Sequence, residues 1–171
     1  GPTGIAMDRQ ENLYIVDSRN HRIQKFTKDG KFLSKWGAPG SGEGEFDTPW
    51  GIILDGQDFV YVVDHGNHRV QKFTPEGEFV ANFGSQGTDA GQLNYPSDVS
   101  VDPDGDVYVC DWGNNRVQIF APDGKFLATL VGDAQQLGKW HQDVVNANLD
   151  NQRARRRADL SMEWLLQMPH G

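Results

Sequence analysis

The sequence LYIVDSRNHRIQKF at residues 13–26 recurs twice, as VYVVDHGNHRVQKF at 60–73 and as VYVCDWGNNRVQIF at 107–120. Successive copies are 47 residues apart, and Pro2, Pro49 and Pro96 follow the same spacing. A fixed period of about 20 to 50 residues is typical of propellers, solenoids and other repeat architectures. We therefore interpret residues 1–132 as three copies of one structural unit.

Each copy contains four short segments rich in β-branched and aromatic residues, which is the pattern of β-strands. In the first copy we place strands at Gly4–Asp8, Leu13–Asp17, Arg22–Phe26 and Lys31–Trp36. The last two are separated by Lys-Asp-Gly, and glycine there provides the positive φ of a tight hairpin turn. Four antiparallel strands per repeat predict an all-β fold, a β-propeller with blades at about 2–38, 49–85 and 96–132.

The phrase Asp-x-x-Asn-x-Arg-[Ile/Val]-Gln-[Lys/Ile]-Phe, common to all three copies, closely resembles the NHL repeat. The resemblance implies a propeller, most often of six blades, that serves as a protein-binding platform and in some branches binds RNA or carries lyase chemistry. Fold alone does not choose among these functions. Because the polar residues of the phrase recur in every copy, we expect them to be structural: Asp17, Asn20, Arg22, Asp64, Asn67, Arg69, Asp111, Asn114 and Arg116.

The charge balance argues against a nucleic-acid partner. The chain has 16 Lys and Arg against 24 Asp and Glu, a net charge of −8. Residues 1–132 carry 11 basic and 19 acidic side chains, whereas residues 133–171 carry five of each. Proteins that bind nucleic acid usually present a basic face, because phosphate contacts supply much of their affinity. No run of 18 apolar residues and no leader-like start is present, so we expect neither a membrane span nor an export signal.

The single cysteine, Cys110, occupies the position held by Val16 and Val63 in the other copies. We therefore expect it to be a small buried hydrophobic residue rather than a reactive thiol. One cysteine forms no disulfide within the chain, and its presence leaves the cellular compartment undetermined.

Three blades do not close a ring, since propellers typically have about four to eight blades and an open set exposes apolar faces and strand edges. At the C-terminus, residues 168–171 read Met-Pro-His-Gly and resemble the start of a further blade. The chain is then half of a longer propeller, or a half that completes the ring by pairing with a second copy. We expect a homodimer with six blades, with a tetramer of halves as the alternative assembly.

Residues 133–167 depart from the repeat and predict a short α-helical segment. Apolar residues recur there at spacings of three and four, as one face of a helix would show: Leu137, Trp140, Val144 and Ala147. Four arginines between 153 and 157 form either a basic patch for an acidic partner or a solvated helix face. We expect this segment to be a helical insertion that bridges one half of the ring to the next.

Variable residues inside the repeated frame mark a candidate binding surface at the channel mouth. They follow either the proline that begins each blade or the aspartate that ends each second strand: Thr3, Trp50, Ser97 and His170, and Ser18, Arg19, His65 and Trp112. Trp50 and Trp112 are of the kind that anchors protein interfaces, although both could instead pack against neighbouring loops. The sequence thus predicts a non-enzymatic scaffold that self-associates and binds another protein or a small ligand.

The alternative hypothesis is a metal-dependent lyase or hydrolase. The resemblance extends to propeller lyases in which histidines near blade starts hold zinc, and a catalytic zinc needs about three protein ligands. Here Thr3, Trp50 and Ser97 are poor ligands, so only His65 and His170 remain. The sequence DPDGD at 102–106 has a calcium-like composition but lacks the downstream glutamate of an EF-hand. We therefore expect no catalytic residues and no cofactor, and leave zinc and calcium as the two metals to test.

Overall fold

A computed structural model describes residues 1–131 of the chain. The expected helical insertion at 133–167 and the expected blade start at 168–171 lie outside the described residues. Within residues 1–131 the chain forms three antiparallel sheets of four strands, and in each sheet the strand order follows the chain order. The architecture is all-β, as predicted, and each sheet has the form of a propeller blade.

The strands of blade 1 are β1 Pro2–Met7, β2 Leu13–Asp17, β3 Arg22–Phe26 and β4 Phe32–Trp36. Those of blade 2 are β5 Pro49–Leu54, β6 Val60–Asp64, β7 Arg69–Phe73 and β8 Phe79–Phe83. Those of blade 3 are β9 Asp98–Val101, β10 Val107–Asp111, β11 Arg116–Phe120 and β12 Phe126–Val131. The helical elements of the described part are 3₁₀ turns at Ser18–Asn20, His65–Asn67 and Trp112–Asn114, and none could cross a membrane.

The predicted strands of blade 1 agree with the structure at β2 and β3 and differ at the other two. Strand β1 begins at Pro2 rather than Gly4, because Pro2 pairs with Asp17 across a bulge. Strand β4 begins one residue later than predicted, because the carbonyl of Lys31 accepts the Thr27 N–H inside the turn. Gly30 has φ of 83°, which confirms the predicted hairpin.

Blades 1 and 2 pack face to face around a buried apolar cluster. We call the face of a blade that meets the next blade its front, and the opposite face its back. Successive side chains of a strand point to opposite faces. In β6, Val60 and Val62 therefore lie on the back of blade 2, and Tyr61 and Val63 lie on its front. The cluster between blades 1 and 2 consists of Tyr14, Val16, Ile23, Phe46, Ile52, Val60, Val62 and Phe73.

Blades 2 and 3 repeat this packing, and the loops between blades take part in it. The second cluster consists of Tyr61, Val63, Val70, Phe83, Leu93, Val99, Val107, Val109 and Phe120. Phe46 and Leu93 come from the two inter-blade loops, and both are fully buried. The Phe46 ring lies 5.6 Å from that of Phe73, measured between centroids. Each inter-blade loop is therefore part of the apolar core.

The back of blade 1 and the front of blade 3 have no neighbouring blade within residues 1–131. Ile5 on the first of these faces is 63% exposed, whereas its counterpart in blade 2, Ile52, is 9% exposed. Leu130 on the second face is 40% exposed, whereas its counterpart Phe83 is fully buried. In the described part of the chain, both outer faces thus display apolar side chains that the inner faces bury.

The prediction that Cys110 is buried is wrong, because its side chain is exposed. Val16 and Val63, its counterparts, are fully buried because a following blade covers each of them. Cys110 lies on the front of blade 3, which has no further blade among residues 1–131. Partial burial of the sulfur, followed by the nearby Asp98 carboxylate, still raises the pKa of the Cys110 thiol. The thiol therefore stays protonated at neutral pH and is a weak nucleophile.

Substitution of Phe73 tests the packing between blades 1 and 2. Phe73→Ala removes a fully buried ring from the cluster and leaves a cavity, so we expect the free energy of unfolding to fall by about 3 to 5 kcal/mol. Val80→Ala is the control, because Val80 is 45% exposed on β8 and should change stability by less than about 0.5 kcal/mol. Urea unfolding followed by circular dichroism gives both values, and similar losses for the two variants would contradict the described core.

Candidate functional site

The two sets of predicted binding residues meet at one edge of the blades. Strand β1 begins opposite the end of β2, since Pro2 pairs with Asp17. Strand β5 likewise begins opposite the end of β6, since Pro49 pairs with Asp64. The residues that begin each blade therefore lie beside the 3₁₀ turn that follows each second strand. We call this edge the mouth.

A cavity of ≈ 560 Å³ opens between the first strands of the three blades at the mouth. It is lined by Thr3, Gly4, Ile5, Trp50, Gly51, Ile52, Ser97 and Asp98. The Thr3 hydroxyl donates to the carbonyl oxygens of Pro49 and Trp50, at 3.1 and 3.2 Å. The structure thus brings three of the predicted residues, Thr3, Trp50 and Ser97, to one cavity.

Glycines in the first strands allow these strands to approach closely. A Cβ at Gly4 would lie 2.5 Å from the carbonyl oxygen of Trp50. A Cβ at Gly51 would lie 3.0 Å from the Asp98 carboxylate. The absence of a side chain at these positions is what allows the backbones to pack this tightly around the cavity.

An aromatic cluster on blade 2 and the following loop borders the cavity. The Trp50 indole stacks on the His65 imidazole, with ring centroids 3.9 Å apart and planes 11° from parallel. His65 is also 5.2 Å from the Tyr95 ring, and Tyr95 is 4.3 Å from His68. Trp50 is 37% exposed and Tyr95 is 44% exposed. We call these four residues the aromatic cluster, which is held by ring contacts and still accessible at two of its members.

Main-chain hydrogen bonds orient both histidines of the aromatic cluster. Nδ1 of His65 lies 3.0 Å from the Pro96 carbonyl oxygen, which can only accept, so this nitrogen donates the hydrogen bond. Nδ1 of His68 accepts the backbone N–H of Tyr95 at 3.0 Å. Burial, followed by the neighbouring His65, lowers the pKa of His68. His68 is therefore neutral at pH 7.

The other predicted binding residues have different surroundings. Trp112 is 66% exposed on blade 3 and lines a second cavity of ≈ 350 Å³ beside Cys110 and Leu130. Ser18 is buried at 6% exposure and Arg19 is exposed. His170 lies outside the described residues.

Two members of the aromatic cluster, Tyr95 and His68, and the Asp98 carboxylate were not among the binding residues predicted from the sequence. Tyr95 precedes the blade-start proline just as Thr48 does, and both residues have positive φ, of 49° and 50°. The aromatic residue at this variable position was the feature of the sequence that could have identified Tyr95 as a candidate binding residue. The contact itself joins a turn of blade 2 to a loop about 27 residues later, which sequence spacing does not reveal.

In each blade the repeated asparagine and arginine donate hydrogen bonds to the aspartate that ends the second strand. Asp64 accepts hydrogen bonds from Asn67 at 2.9 Å, from Arg69 Nε at 2.8 Å and from Gln71 at 3.1 Å. It also accepts the backbone N–H of Asp47 at 2.7 Å. Burial raises the pKa of Asp64. Its lone pairs are engaged by structural donors, so this carboxylate is not placed to act on a substrate.

No metal centre is formed by the part of the chain that the structure describes, since residues 1–131 contain no group of three or more His, Cys, Asp or Glu side chains that could hold an ion. His65 and His68 both contact the Tyr95 ring, and neither belongs to such a group. Three ligands are the usual minimum for a catalytic zinc.

The chain is similar to proteins built of NHL repeats. The family model described as NHL repeat matches residues 1–26, 46–73 and 93–120. A segment of 48 residues is 35% identical to Protein brain tumor of Drosophila melanogaster. That alignment covers 28% of this chain and 5% of the fly protein.

Solved structures with a similar fold include two lyases. A streptogramin B lyase superposes with a TM-score of 0.62 at 16% identity, over 82% of this chain and 43% of that one. A catalytically inactive virginiamycin B lyase from Staphylococcus aureus with quinupristin gives 0.60 at 18% identity, over 77% and 41%. A protein of unknown function from Bacteroides caccae gives 0.57 at 14% identity, over 77% and 46%. This chain spans less than half of each, and at such identities the likeness shows the fold alone.

The pH dependence of stability tests the environment of His68. Its pKa is lower in the folded protein than in the unfolded chain, so the unfolded state binds more protons and stability falls as pH drops through about 6.5. His68→Asn places there the residue type that blade 3 has at Asn115 and removes the titrating group. We expect the wild-type melting temperature to fall more than that of the variant between about pH 7 and 5. Equal slopes in thermal unfolding would contradict a buried neutral imidazole.

Proposed function

Since this chain belongs to the NHL-repeat family and folds each repeat as a four-stranded blade, we propose that it is a non-enzymatic interaction module whose mouth binds a segment of another protein. The observation that carries the proposal is the aromatic cluster, partly exposed and held rigidly beside the mouth cavity. Aromatic side chains of this kind dominate the binding energy of protein interfaces.

Trp50 is suited to act as an anchor because it is already ordered. Its stacking on His65 fixes the ring, so a partner would gain contact area at a small cost in side-chain entropy. The blade does not need tryptophan at this position, since Thr3 and Ser97 occupy it in the other two blades. A large apolar side chain at a position where small polar ones suffice is better accounted for by binding than by folding.

The charge of the chain favours a basic partner segment. Residues 1–132 carry a net charge of −8, and the Asp98 carboxylate lines the mouth cavity itself. A peptide with an apolar or aromatic residue flanked by lysine or arginine would match both features. The same charge opposes nucleic acid, whose binding depends on neutralising phosphates.

Pairing of two copies is the second element of the proposal. The outer faces of blades 1 and 3 display apolar side chains within residues 1–131, and three blades fall short of the number in a closed propeller. Two chains would supply six blades in a closed twofold arrangement. Such a ring would surround a channel bordered by two copies of the mouth.

A metal-dependent lyase or hydrolase with its site at the mouth is the second candidate function. It is supported by the fold likeness to streptogramin B lyase and virginiamycin B lyase. His65 would be the residue to bind a metal, through Nε2, since Nδ1 faces the Pro96 carbonyl oxygen. The other ligands would have to come from beyond residues 1–131, because no suitable group exists inside that range.

A peptide-binding experiment tests the interaction module. Peptides that bind the immobilised full chain would be selected from a displayed random library, and their dissociation constants measured by calorimetry. We expect selected peptides to be rich in basic and aromatic residues. Trp50→Thr, which introduces the residue type of blade 1, should weaken binding by about thirtyfold, the loss of a hot spot worth about 2 kcal/mol.

Val80→Ala is the matched control for this experiment, since it changes an exposed apolar residue on β8, away from the mouth, and should leave affinity unchanged. Peptides whose affinity is the same for wild type and Trp50→Thr would contradict binding at the mouth.

An activity assay separates the two candidate functions. The full chain would be incubated with quinupristin, with added Zn²⁺ or Ca²⁺ and with chelator, and quinupristin would be followed by chromatography. The interaction module predicts no conversion under any condition. Metal-dependent conversion that disappears in His65→Ala would replace it with the lyase hypothesis.

A further inference from the structure

In blade 2 the repeated polar residues bind the main chain of the preceding inter-blade loop. Arg69 Nη2 donates to the carbonyl oxygens of Gly42 and Glu45, at 2.7 and 3.1 Å. Asn67 donates to the carbonyl oxygen of Gly40 at 2.8 Å. These contacts come in addition to the bonds that both side chains make with Asp64.

Gln71 and Asp64 bind the same loop, and we call these two side chains together with Asn67 and Arg69 the clamp of blade 2. Gln71 accepts the Gly44 N–H at 3.0 Å and donates to the Glu45 carbonyl oxygen at 2.6 Å. Asp64 accepts the Asp47 N–H at 2.7 Å. Four side chains of one blade therefore recognise the backbone of residues 40–47, while the Phe46 side chain of that segment enters the apolar core.

Blade 3 binds residues 87–94 in the same way. Arg116 donates to the carbonyl oxygens of Asp89 and Gln92, at 2.9 and 2.7 Å. Gln118 accepts the Gly91 N–H at 2.8 Å, and Asp111 accepts the N–H of Asn94 at 2.6 Å. Because the bonds go to main-chain atoms, loops of different sequence fit the same clamp.

Blade 1 has the same four side chains, but no loop within residues 1–131 hydrogen-bonds to them. Among residues 1–131, the side chains of Asn20, Arg22 and Gln24 hydrogen-bond only to Asp17, at 2.9 Å for Asn20 and for Arg22 Nε and 3.3 Å for Gln24. The Arg22 side chain is 31% exposed, against 12% and 13% for its counterparts in blades 2 and 3. Gln24 is half-buried, whereas Gln71 is fully buried.

We propose that Asp17, Asn20, Arg22 and Gln24 form a loop-binding site that residues 1–131 leave unfilled, and that the main chain of a second copy fills it as that copy's blade 3 packs on the back of blade 1. The inference rests on the pairing put forward under the proposed function and names the surfaces that would form it. Phe26 ends the strand that carries Arg22 and Gln24. Its counterpart in blade 2 is Phe73, and the Phe73 ring packs against Phe46 of the loop bound there. Phe26 is only half-buried.

The front of blade 3 supports a second copy as the occupant. Cys110, Val117 and Leu130 lie there at the positions of three blade 2 residues that are fully buried against blade 3: Val63, Val70 and Phe83. Blade 3 of one copy therefore presents to blade 1 of another the same kind of face that blade 2 presents to blade 3. The same contact made twice would join two chains into a closed ring of six blades.

Light scattering after size exclusion of the full chain tests the pairing surface. We expect a mass of two chains for wild type. Arg22→Ala should raise the dimer dissociation constant by about ten- to a hundredfold, the effect of losing hydrogen bonds made by a charged donor. Ile5→Asp, which places a charge on the back of blade 1, should yield only monomer. Lys125→Ala, an equal charge change on the exposed hairpin of blade 3, is the control and should remain dimeric.

Thermal unfolding separates loss of pairing from loss of folding. Arg69→Ala should lower the melting temperature at every protein concentration, because its loop is in the same chain. At concentrations where wild type and variant are both monomeric, Arg22→Ala should lower the melting temperature by less than Arg69→Ala does, because only the bond between Arg22 and Asp17 is lost within the chain. A wild-type dimer insensitive to Arg22→Ala and Ile5→Asp would overturn this inference and leave pairing through another surface. A wild-type monomer at all concentrations would overturn both this inference and the proposed pairing of two copies. Peptide binding at the mouth would still be decided by its own experiment.

A peptide titration tests the site by itself. Leu130→Asp disrupts the front of blade 3 and leaves the back of blade 1 free in a monomer. A synthetic peptide of residues 40–47, GSGEGEFD, should then shift the side-chain N–H resonances of Arg22 and Gln24 in ¹⁵N NMR spectra. The same peptide with alanine in place of phenylalanine is the control and should bind more weakly. Unchanged Arg22 and Gln24 resonances would overturn the proposed loop site.

Discussion

A twisted four-stranded sheet with two apolar faces buries each face only by packing it against another sheet, and this constraint governs the whole molecule. Blade 2 satisfies it on both sides, and all five residues of its strand β6 are buried. Blades 1 and 3 satisfy it on one side within the described residues. Burial of an apolar residue therefore depends on the position of its blade in the ring as much as on its position in the repeat.

The repeat phrase predicted the strands well, because the strand pattern is local. Alternating apolar residues, turn glycines and the 47-residue period place β2 and β3 at the observed residues. Cys110 shows where this reasoning fails. Its counterparts Val16 and Val63 are buried, and equivalence in sequence implied the same for the cysteine, but burial there is supplied by a following blade. The position of a residue within the repeat does not indicate whether another blade follows. Burial that depends on a following blade therefore cannot be predicted from that position.

The candidate site was predicted in part for a related reason. Trp50, Thr3 and Ser97 were found because they vary inside a constant frame, and the pairing of β1 with β2 places such positions at one edge. Tyr95 and His68 were missed because their contact joins a turn to a distant loop, and its geometry depends on a backbone of positive φ at Tyr95. Local pattern identifies which positions are free to vary, while the packing of loops decides which of them touch.

Asp17 and Asp64 show how the loop changes the chemistry of an unchanged motif. Both accept hydrogen bonds from an asparagine, an arginine and a glutamine of their own blade. The Asn20 amide, followed by Arg22, holds the pKa of Asp17 below its usual value, whereas burial raises that of Asp64. A loop that covers the motif thus disfavours the carboxylate by removing water, and offsets part of that cost through its own N–H, as Asp47 does for Asp64. A main-chain segment that lies over Asp17 must offer the same donor, because covering the carboxylate without one would leave a buried charge poorly satisfied. We therefore expect the segment that fills the blade 1 site to present a main-chain N–H to Asp17, as the loop of residues 40–47 presents the Asp47 N–H to Asp64.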